Sequence, residues 1–180
     1  MLHDLNEALL TPRLRIEPLT RRLSAVARKG PEALAEAIDA DVPPEWSAAG
    51  GLRLLARAWR LEDQSAAPER ALVIHRCDER VIGDLRFSSA GRPRGAIELG
   101  YAITSLYRRQ GYATEAAGGL LDWAFAHDAG LQVIAGCDRG NRASVRTLRR
   151  LGFWLDGAHV DAFWWLLTAD LRAEARAREL

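Results

Sequence analysis

The first forty residues change from a strand-type to a helix-type hydrophobic pattern. Leu14 and Ile16 alternate with charged residues between positions 11 and 19, which predicts a half-buried strand. From position 20 to about 40, apolar residues recur every three to four positions, which predicts two short helices, and Pro31 is suitably placed to begin the second. We therefore expect one strand followed by a pair of helices.

Residues 41–51 interrupt this pattern with two prolines and two glycines around Trp46. Such a composition predicts an irregular loop that carries one large aromatic side chain. Trp46 either lines a substrate pocket or anchors the loop to the core, and the sequence alone leaves both interpretations open. Residues 52–61 then return to a helical pattern.

The remaining pattern begins with strands and continues with strands and helices in alternation. This order predicts one α/β layered domain, with a mixed, mostly antiparallel central sheet flanked by helices. The predicted strands are 71–76, 81–87, 96–103, 131–137, one near Phe153 and 163–167, and the predicted helices are 112–127 and 142–151.

The two ends of the chain are predicted to lie outside this domain. We assign residues 1–10 to an N-terminal tail, 11–170 to the domain and 171–180 to a polar C-terminal tail. The stretch from Ala169 onwards is rich in arginine and glutamate and poor in apolar residues, which indicates a solvated terminal helix.

The composition is typical of a folded cytoplasmic protein. In 180 residues, 48% are hydrophobic and 27% charged, which is enough for one core without disulfides or metals. The net charge is +1 and the arginines are scattered, so nucleic acid is not an expected partner. Apolar runs are all shorter than the roughly 18 residues that a membrane span requires, so no membrane partner is expected either.

The cysteines, histidines and late aromatic residues suggest no separate chemistry. Cys77 and Cys137 have neither CxxC spacing nor paired histidines nearby, so no metal is expected. The histidines His75, His127 and His159 show no arrangement typical of covalent catalysis. The aromatic run at 163–165 alternates across a strand and is expected to pack in the core or at an interface, which leaves a homodimer open.

The strongest signal for a ligand is a glycine turn between a strand and a helix. The strand that ends near Ile103 leads through TSLYRRQGYATE into the helix, with Gly111 in the turn. The first turn of a helix has unpaired N–H groups and roughly half a positive charge from its dipole, which favours an anion. Arg108 and Arg109 add guanidinium groups that pair with phosphate oxygens. The spacing matches neither GxGxxG nor GxxxxGK[ST], so a pyrophosphate is expected but nucleotide hydrolysis is not.

The segment from Arg108 to Ala113 resembles the Arg/Gln-x-x-Gly-x-Gly/Ala loop of the GCN5-related N-acetyltransferase (GNAT) superfamily. RRQGYATEAAGGLLDWAF, NRASVRTLRRLGF and the opening TPRLRIEPLT together resemble its subset of ribosomal-protein alanine N-acetyltransferases. The resemblance covers residues 11–170 and is poor only over 41–70, where the family has substrate-facing segments. It implies a splayed central strand pair and acetyl transfer from acetyl-CoA to a primary amine, either a protein N-terminal α-amine or a small-molecule amine.

The resemblance also implies which residues bind acetyl-CoA. Backbone amides from about Arg109 to Thr114 would bind the pyrophosphate, and N–H groups near Tyr101 and Ala102 would face the thioester carbonyl. Asn141 would contact the cofactor's arm, although asparagine at this position is also a good helix N-cap. The full predicted cofactor-binding set is Tyr101, Ala102, Ile103, Arg108, Arg109, Gln110, Gly111, Tyr112, Ala113, Thr114, Asn141 and Ser144.

Two carboxylates are candidates for the acceptor side of the reaction. Glu98 could accept the amine proton directly or through water, and its alternative is a surface strand residue. Asp84 on the neighbouring predicted strand is the second candidate. Together with Trp46 they form the predicted substrate-binding set, and Glu98 and Ser144 form the predicted catalytic pair.

The proton donor departs from the pattern of the superfamily. Many members have a tyrosine seven residues after the asparagine to protonate the departing thiolate, and this chain has Leu148 there. Ser144 is predicted to serve instead, unless its hydroxyl only bonds the helix backbone. Because of the missing tyrosine and the Gly118–Gly119 pair in the cofactor helix, a non-catalytic CoA-binding sensor or interaction protein is the alternative hypothesis.

Overall fold

The computed structural model describes residues 5–48, 70–88 and 96–178. The strands are Leu9–Leu10 (β1), Leu14–Pro18 (β2), Arg70–His75 (β3), Arg80–Ser88 (β4), Ala96–Ile103 (β5), Gln132–Asp138 (β6), Trp154–Ala158 (β7) and Ala162–Leu167 (β8). The helices are Arg21–Ala27 (α1), Pro31–Ile38 (α2), Pro44–Ala48 (α3), Tyr112–His127 (α4), Arg142–Leu151 (α5) and Ala169–Ala177 (α6), with a 3-10 turn at Ser105–Tyr107.

The strands form one mixed sheet of eight strands in the order β1-β2-β3-β4-β5-β6-β8-β7. Every neighbouring pair is antiparallel except β5 and β6, which are parallel. This confirms the predicted α/β layered domain with a mostly antiparallel sheet. The parallel pair is joined only from Ala96 to Glu98, opposite Gln132 to Ile134, and the strands separate beyond that point. The centre of the sheet therefore contains a gap.

Helices cover the sheet on both faces. On one face, α4 and α5 pack over a core that includes Leu85, Leu99 and Val133. On the other face, α1 to α3 enclose a second cluster that contains Leu72 and Trp46. Because β4 and β5 lie between these layers, both faces of the gap border a helical layer.

Most predicted elements are confirmed within a few residues, and Pro31 is the first residue of α2. The loop predicted around Trp46 differs, because residues 44–48 form the short helix α3. Proline is favourable in the first turn of a helix, so Pro44 begins α3 instead of breaking it. The helix predicted at 52–61 lies outside the described residues.

The ends of the chain take part in the fold. Leu5 is buried in the larger core cluster, and β1 pairs with β2 at the sheet edge, so part of the predicted N-terminal tail packs on the domain. In α6 the guanidinium of Arg172 is buried and donates to both carboxylate oxygens of Asp122, at 2.9 and 3.3 Å. The expected solvated helix is thus fixed to α4 by a paired, buried charge, which composition alone does not reveal.

The glycine pair in α4 is explained by packing. A Cβ at Gly118 would lie 3.0 Å from Arg172 Nη2, and one at Gly119 would lie 2.9 Å from Thr11 Cγ2. Both contacts are tighter than ordinary van der Waals packing, so the missing side chains let α6 and the segment before β2 approach α4. The pair that motivated a non-catalytic alternative therefore has a structural role.

Candidate active site

The loop between β5 and α4 is shaped by two residues with left-handed backbone. Gly111 has φ of 85° and Arg109 has φ of 64°. This region costs a non-glycine residue about 1–2 kcal/mol, so Arg109 holds a strained conformation at the start of the helix. Gly111 is the N-cap of α4 and no side chain caps the helix. The first N–H groups of α4 are thus left available to an anionic ligand.

This loop forms one wall of a cleft of about 870 Å³ on the face of the sheet covered by α4 and α5. The end of β5 and the outer side of α5 form the other walls. Eleven of the twelve residues predicted to bind the cofactor line the cleft, and Gln110 does not. The amide of Gln110 instead donates to the carbonyl of Leu106 at 3.2 Å, and its own backbone carbonyl accepts from Arg13.

The cleft is strongly cationic. Arg108 and Arg109 lie on the loop side, Arg146 and Arg150 lie on α5, and no acidic side chain is among the lining residues. Arg108 donates through Nε to the carbonyl of Ile103 at 2.9 Å, which fixes its position along the cleft. None of the four guanidinium groups has an ion pair with a described carboxylate. This wall is suited to an elongated ligand with several negative charges.

A carboxylate behind the loop connects it to β2. Glu115 accepts hydrogen bonds from the Thr11 hydroxyl at 2.6 Å and from the Arg13 backbone at 2.8 Å, and Arg13 Nε lies 2.6 Å from Glu115 Oε2. Burial acts to raise the pKa of Glu115, but these hydrogen bonds and the charge of Arg13 outweigh it and lower the pKa. The guanidinium of Arg13 also lies over the ring of Tyr112, 4.3 Å from its centroid.

A second cleft, of about 370 Å³, opens through the gap between β5 and β6. It extends from Asp84 and the arginines Arg70 and Arg86 on one side to Cys137 and Asp138 at the end of β6. Asp84 contacts Trp46 of α3, so this side belongs to the face covered by α1 to α3. The two clefts share Tyr101, Ala102, Asn141 and Ser144 as lining residues. They therefore meet at the gap.

The backbone of β5 has a defined orientation at this meeting point. The N–H of Thr104 donates to the carbonyl of Ile82 in β4 at 2.8 Å. Because N–H directions alternate along an antiparallel strand, the N–H of Ala102 is directed towards β4 and that of Tyr101 towards the gap. Of the two N–H groups predicted to face the thioester carbonyl, that of Tyr101 is the one directed into the gap. Ala102 remains a lining residue of both clefts.

Asp84 is one of two carboxylates that line the second cleft, the other being Asp138 at the end of β6. Trp46 Nε1 donates to its Oδ2 at 3.2 Å, and Arg70 lies 3.7 Å from its Oδ1. Burial is the largest influence and raises the pKa of Asp84, while the Trp46 hydrogen bond and the charges of Arg70 and Arg86 oppose it. Asp84 is paired in register with Ala102, which brings it to the meeting point of the clefts.

Glu98 and Trp46 are not among the residues that line either cleft. Glu98 lies where β5 is still paired with β6, and its carboxylate is 3.5 Å from the guanidinium of Arg86. Trp46 is 3% exposed and packs in the smaller core cluster, which matches the anchoring interpretation of the loop. Its contribution to the second cleft is the hydrogen bond to Asp84.

Asn141 and Ser144 begin α5 at the meeting point. Asn141 Oδ1 accepts the N–H of Ser144 at 3.1 Å, so Asn141 is the N-cap of α5 and also lines both clefts. The carbonyl of Ser144 accepts a hydrogen bond from the hydroxyl of Tyr101 at 3.4 Å. Leu148 follows one turn later, is 1% exposed and contributes only apolar surface to the second cleft.

Several site residues escape the sequence-based prediction. Arg146 and Arg150 line the first cleft from α5, where their spacing of four residues is the detectable signal. Glu115 and Arg13 are distant in sequence, so only the fold reveals their contact. Among the described residues, no group of three or more His, Cys, Asp or Glu side chains could hold a metal ion. In the same residues, no helix has both the length and the apolar character needed to cross a membrane.

Comparison with known proteins identifies the family. A profile described as "Acetyltransferase (GNAT) domain" matches residues 13–154. The chain is 30% identical over 95 residues to the uncharacterized N-acetyltransferase YjdG of Bacillus subtilis (strain 168), a match that covers 53% of this chain and only 56% of that relative.

Solved structures share the fold at low sequence identity. A GCN5-related N-acetyltransferase from Brucella melitensis aligns with a TM-score of 0.64 and 21% identity, covering 97% of this chain and 86% of that one. A ribosomal-protein-S5-alanine acetyltransferase from Vibrio fischeri aligns with a TM-score of 0.62 and 18% identity, covering 91% and 97%. With the profile match over most of the chain, these findings show that the protein belongs to the GNAT acetyltransferase family, the acetyl-CoA-dependent acyltransferases.

Proposed function

We propose that this protein transfers the acetyl group of acetyl-CoA to a primary amine by direct attack within a ternary complex. The observation that carries the proposal is the meeting of the two clefts at Tyr101, Ala102, Asn141 and Ser144. A thioester held in the first cleft and an amine held in the second would come together there. Positioning two bound reactants in this way can supply about 7–11 kcal/mol of the barrier reduction.

The first cleft suits the charge and shape of the co-substrate. The uncapped N-terminus of α4 and the strained loop at Arg109 and Gly111 offer N–H groups to a pyrophosphate. Arg146 and Arg150 on the opposite wall supply charge for the remaining phosphate of CoA. The thioester end would then extend along β5 towards the N–H of Tyr101, which is oriented to bind the developing oxyanion.

The second cleft supports a role for Asp84 in the proton transfer from the amine. When the amine nitrogen forms its bond to the acetyl carbon, the carbon–sulfur bond breaks and the nitrogen loses one proton. Asp84 lines the cleft and its carboxylate is held by Trp46 and Arg70, so it can accept that proton directly or through water. We assign Glu98, which lines neither cleft, to supporting the position of Arg86, a lining residue of the second cleft.

The acceptor we propose is a protein N-terminal α-amine or a small-molecule amine. Freeing the lone pair of an α-amine with a pKa of about 8 costs about 1 kcal/mol at neutral pH, against about 4–5 kcal/mol for a lysine. A single partly buried carboxylate with a raised pKa, such as that of Asp84, is sufficient to accept the proton of an α-amine. The fold relative from Vibrio fischeri named as a ribosomal-protein-S5-alanine acetyltransferase supports including protein N-termini among the acceptors.

The test is a thiol-release assay with acetyl-CoA and a panel of N-terminal peptides, polyamines, amino acids and aminoglycosides. We expect turnover with at least one class, and a loss of about 100-fold in kcat for Asp84→Asn, the usual contribution of a general base. Asp156→Asn, at an exposed position in β7, is the matched control and should retain full activity.

Two outcomes would count against the proposal. Binding of acetyl-CoA with no turnover on any amine would indicate the non-catalytic alternative. Full activity of Asp84→Asn across the pH range would remove the base role from this residue while leaving acetyl transfer in place.

A further inference from the structure

The departing sulfur needs a proton, and few groups at the meeting point of the clefts can supply one. No described histidine or lysine lines either cleft. Of the four residues that line both clefts, Ala102 and Asn141 carry no hydroxyl, which leaves Tyr101 and Ser144. A phenol has a pKa of about 10, near the value of about 8.5 for a thiol, whereas an aliphatic hydroxyl is a much weaker acid.

We propose that the phenol of Tyr101 is the catalytic acid that protonates the departing thiolate of CoA. This rests on the proposed acetyl transfer. Tyr101 lies in β5 beyond the point where β5 and β6 separate, so its side chain stands at the edge of the gap. Its hydroxyl extends to the first turn of α5, where it donates to the carbonyl of Ser144 at 3.4 Å. Such a long hydrogen bond is easily exchanged for one to a ligand.

The protonation state of Tyr101 agrees with this role. Burial is the main cause that raises the pKa of Tyr101, and side-chain hydrogen bonds with the hydroxyls of Ser144 and Thr147 only partly oppose it. The phenol therefore carries its proton at neutral pH. In the proposed complex the N–H of Tyr101, which is directed into the gap, would bind the oxyanion, and its hydroxyl at the first turn of α5 would face the thiolate.

Every proton and bond in the proposed step is accounted for. The nitrogen–carbon bond forms as the carbon–sulfur bond breaks, the Tyr101 O–H proton passes to sulfur, and the amine proton passes to Asp84. Solvent then returns a proton to the phenolate and removes one from Asp84. The net products are an amide and free CoA thiol, and no other reactant is required.

The decisive comparison is Tyr101→Phe against Ser144→Ala, which each remove one hydroxyl from the meeting point. With the acceptor identified by the thiol-release panel, we expect Tyr101→Phe to lower kcat about 100-fold, with the KM for acetyl-CoA changed by less than about twofold. Ser144→Ala, which removes the other hydroxyl at the meeting point, should lower kcat less than Tyr101→Phe does and should leave the basic limb of the kcat–pH profile in place. The basic limb of the kcat–pH profile should disappear in Tyr101→Phe, a change that a packing role would not produce.

Site-specific replacement of Tyr101 by 3-fluorotyrosine provides a second measurement that does not depend on the fold tolerating phenylalanine. The fluorinated phenol is more acidic, so the basic limb should move to lower pH. Three results would each overturn the assignment. The basic limb of the fluorotyrosine variant could stay at the wild-type pH, Tyr101→Phe could retain a normal kcat, or the loss of kcat could occur in Ser144→Ala alone. Any of these results would leave acetyl transfer intact, whereas a wild-type protein inactive on every amine would overturn the proposed function itself.

Discussion

Arg13 Nε and Glu115 Oε2 lie 2.6 Å apart although the two residues are separated by 102 positions in the chain. This contact fixes the first turn of α4 to the segment that begins β2. Arg13 also donates to the carbonyl of Gln110, so one side chain holds both the loop and the helix that follows it. The geometry of the cofactor loop thus depends on the segment that leads into β2.

Replacing Glu115 with glutamine should lower the free energy of unfolding by about 1–2 kcal/mol at neutral pH, because charge-assisted hydrogen bonds from Thr11 and Arg13 are weakened. The pKa of Glu115 is lowered in the folded state, so its stabilisation is present above the unfolded value of about 4.3 and is lost as the pH falls through the folded pKa. Denaturant unfolding at a series of pH values measures this difference.

Glu36→Gln, at an exposed position in α2, is the control. It should change the free energy of unfolding only slightly, and this change should not depend on pH as that of Glu115→Gln does. A Glu115→Gln deficit that stayed constant down to strongly acidic pH would contradict the ionic origin of the contact.

Gly111→Ala tests the left-handed turn at the N-cap of α4. At φ of 85° an alanine costs about 1–2 kcal/mol, and we expect that loss in unfolding free energy together with weaker binding of CoA. Gly140→Ala is the matched control, because a Cβ at Gly140 meets no atom within 4 Å and its φ is not positive. Equal effects of the two substitutions, measured by calorimetry and denaturation, would show that the turn has no special role.

The arginines of α5 should contribute to co-substrate affinity. The double substitution of Arg146 and Arg150 by glutamine should raise the Kd of CoA about fivefold to tenfold, since each exposed ion pair contributes up to about 1 kcal/mol. The loss should diminish at high salt because such pairs are screened. Arg142→Gln, on the same helix but outside the cleft, should bind CoA normally in titration calorimetry. If Arg142→Gln weakened CoA binding as much as the double substitution, the effect would come from the overall charge of the protein and not from the position of Arg146 and Arg150.

Trp46→Phe should move the acid limb of the kcat/KM profile to higher pH. The indole N–H stabilises the ionised form of Asp84, so its removal raises the pKa of a carboxyl group that burial already raises. Asp84→Asn should abolish the same limb. An acid limb that is lost in Asp84→Asn but stays in place in Trp46→Phe would show that the indole does not influence the base.

Local patterns were sufficient to predict most of the fold. The alternation around Leu14 and Ile16, and the helical spacing of 142–151, each correspond to an observed element. The turn at Gly111 was also predictable, because glycine readily adopts the left-handed backbone that is observed there. The contacts that tune the site were not, since Trp46 with Asp84 and Tyr101 with Ser144 join separate elements and leave no periodic trace.

The three-residue pairing of β5 with β6 has a consequence for the order of events in turnover. In the proposed ternary complex, acetyl-CoA and the amine would approach the reacting atoms from opposite faces of the sheet, because the sheet opens immediately beyond that pairing. Neither substrate would have to pass the other on entry, and the acetylated product would be able to leave while CoA is still bound. A single molecule that links both substrates covalently would therefore have to pass through the gap between β5 and β6.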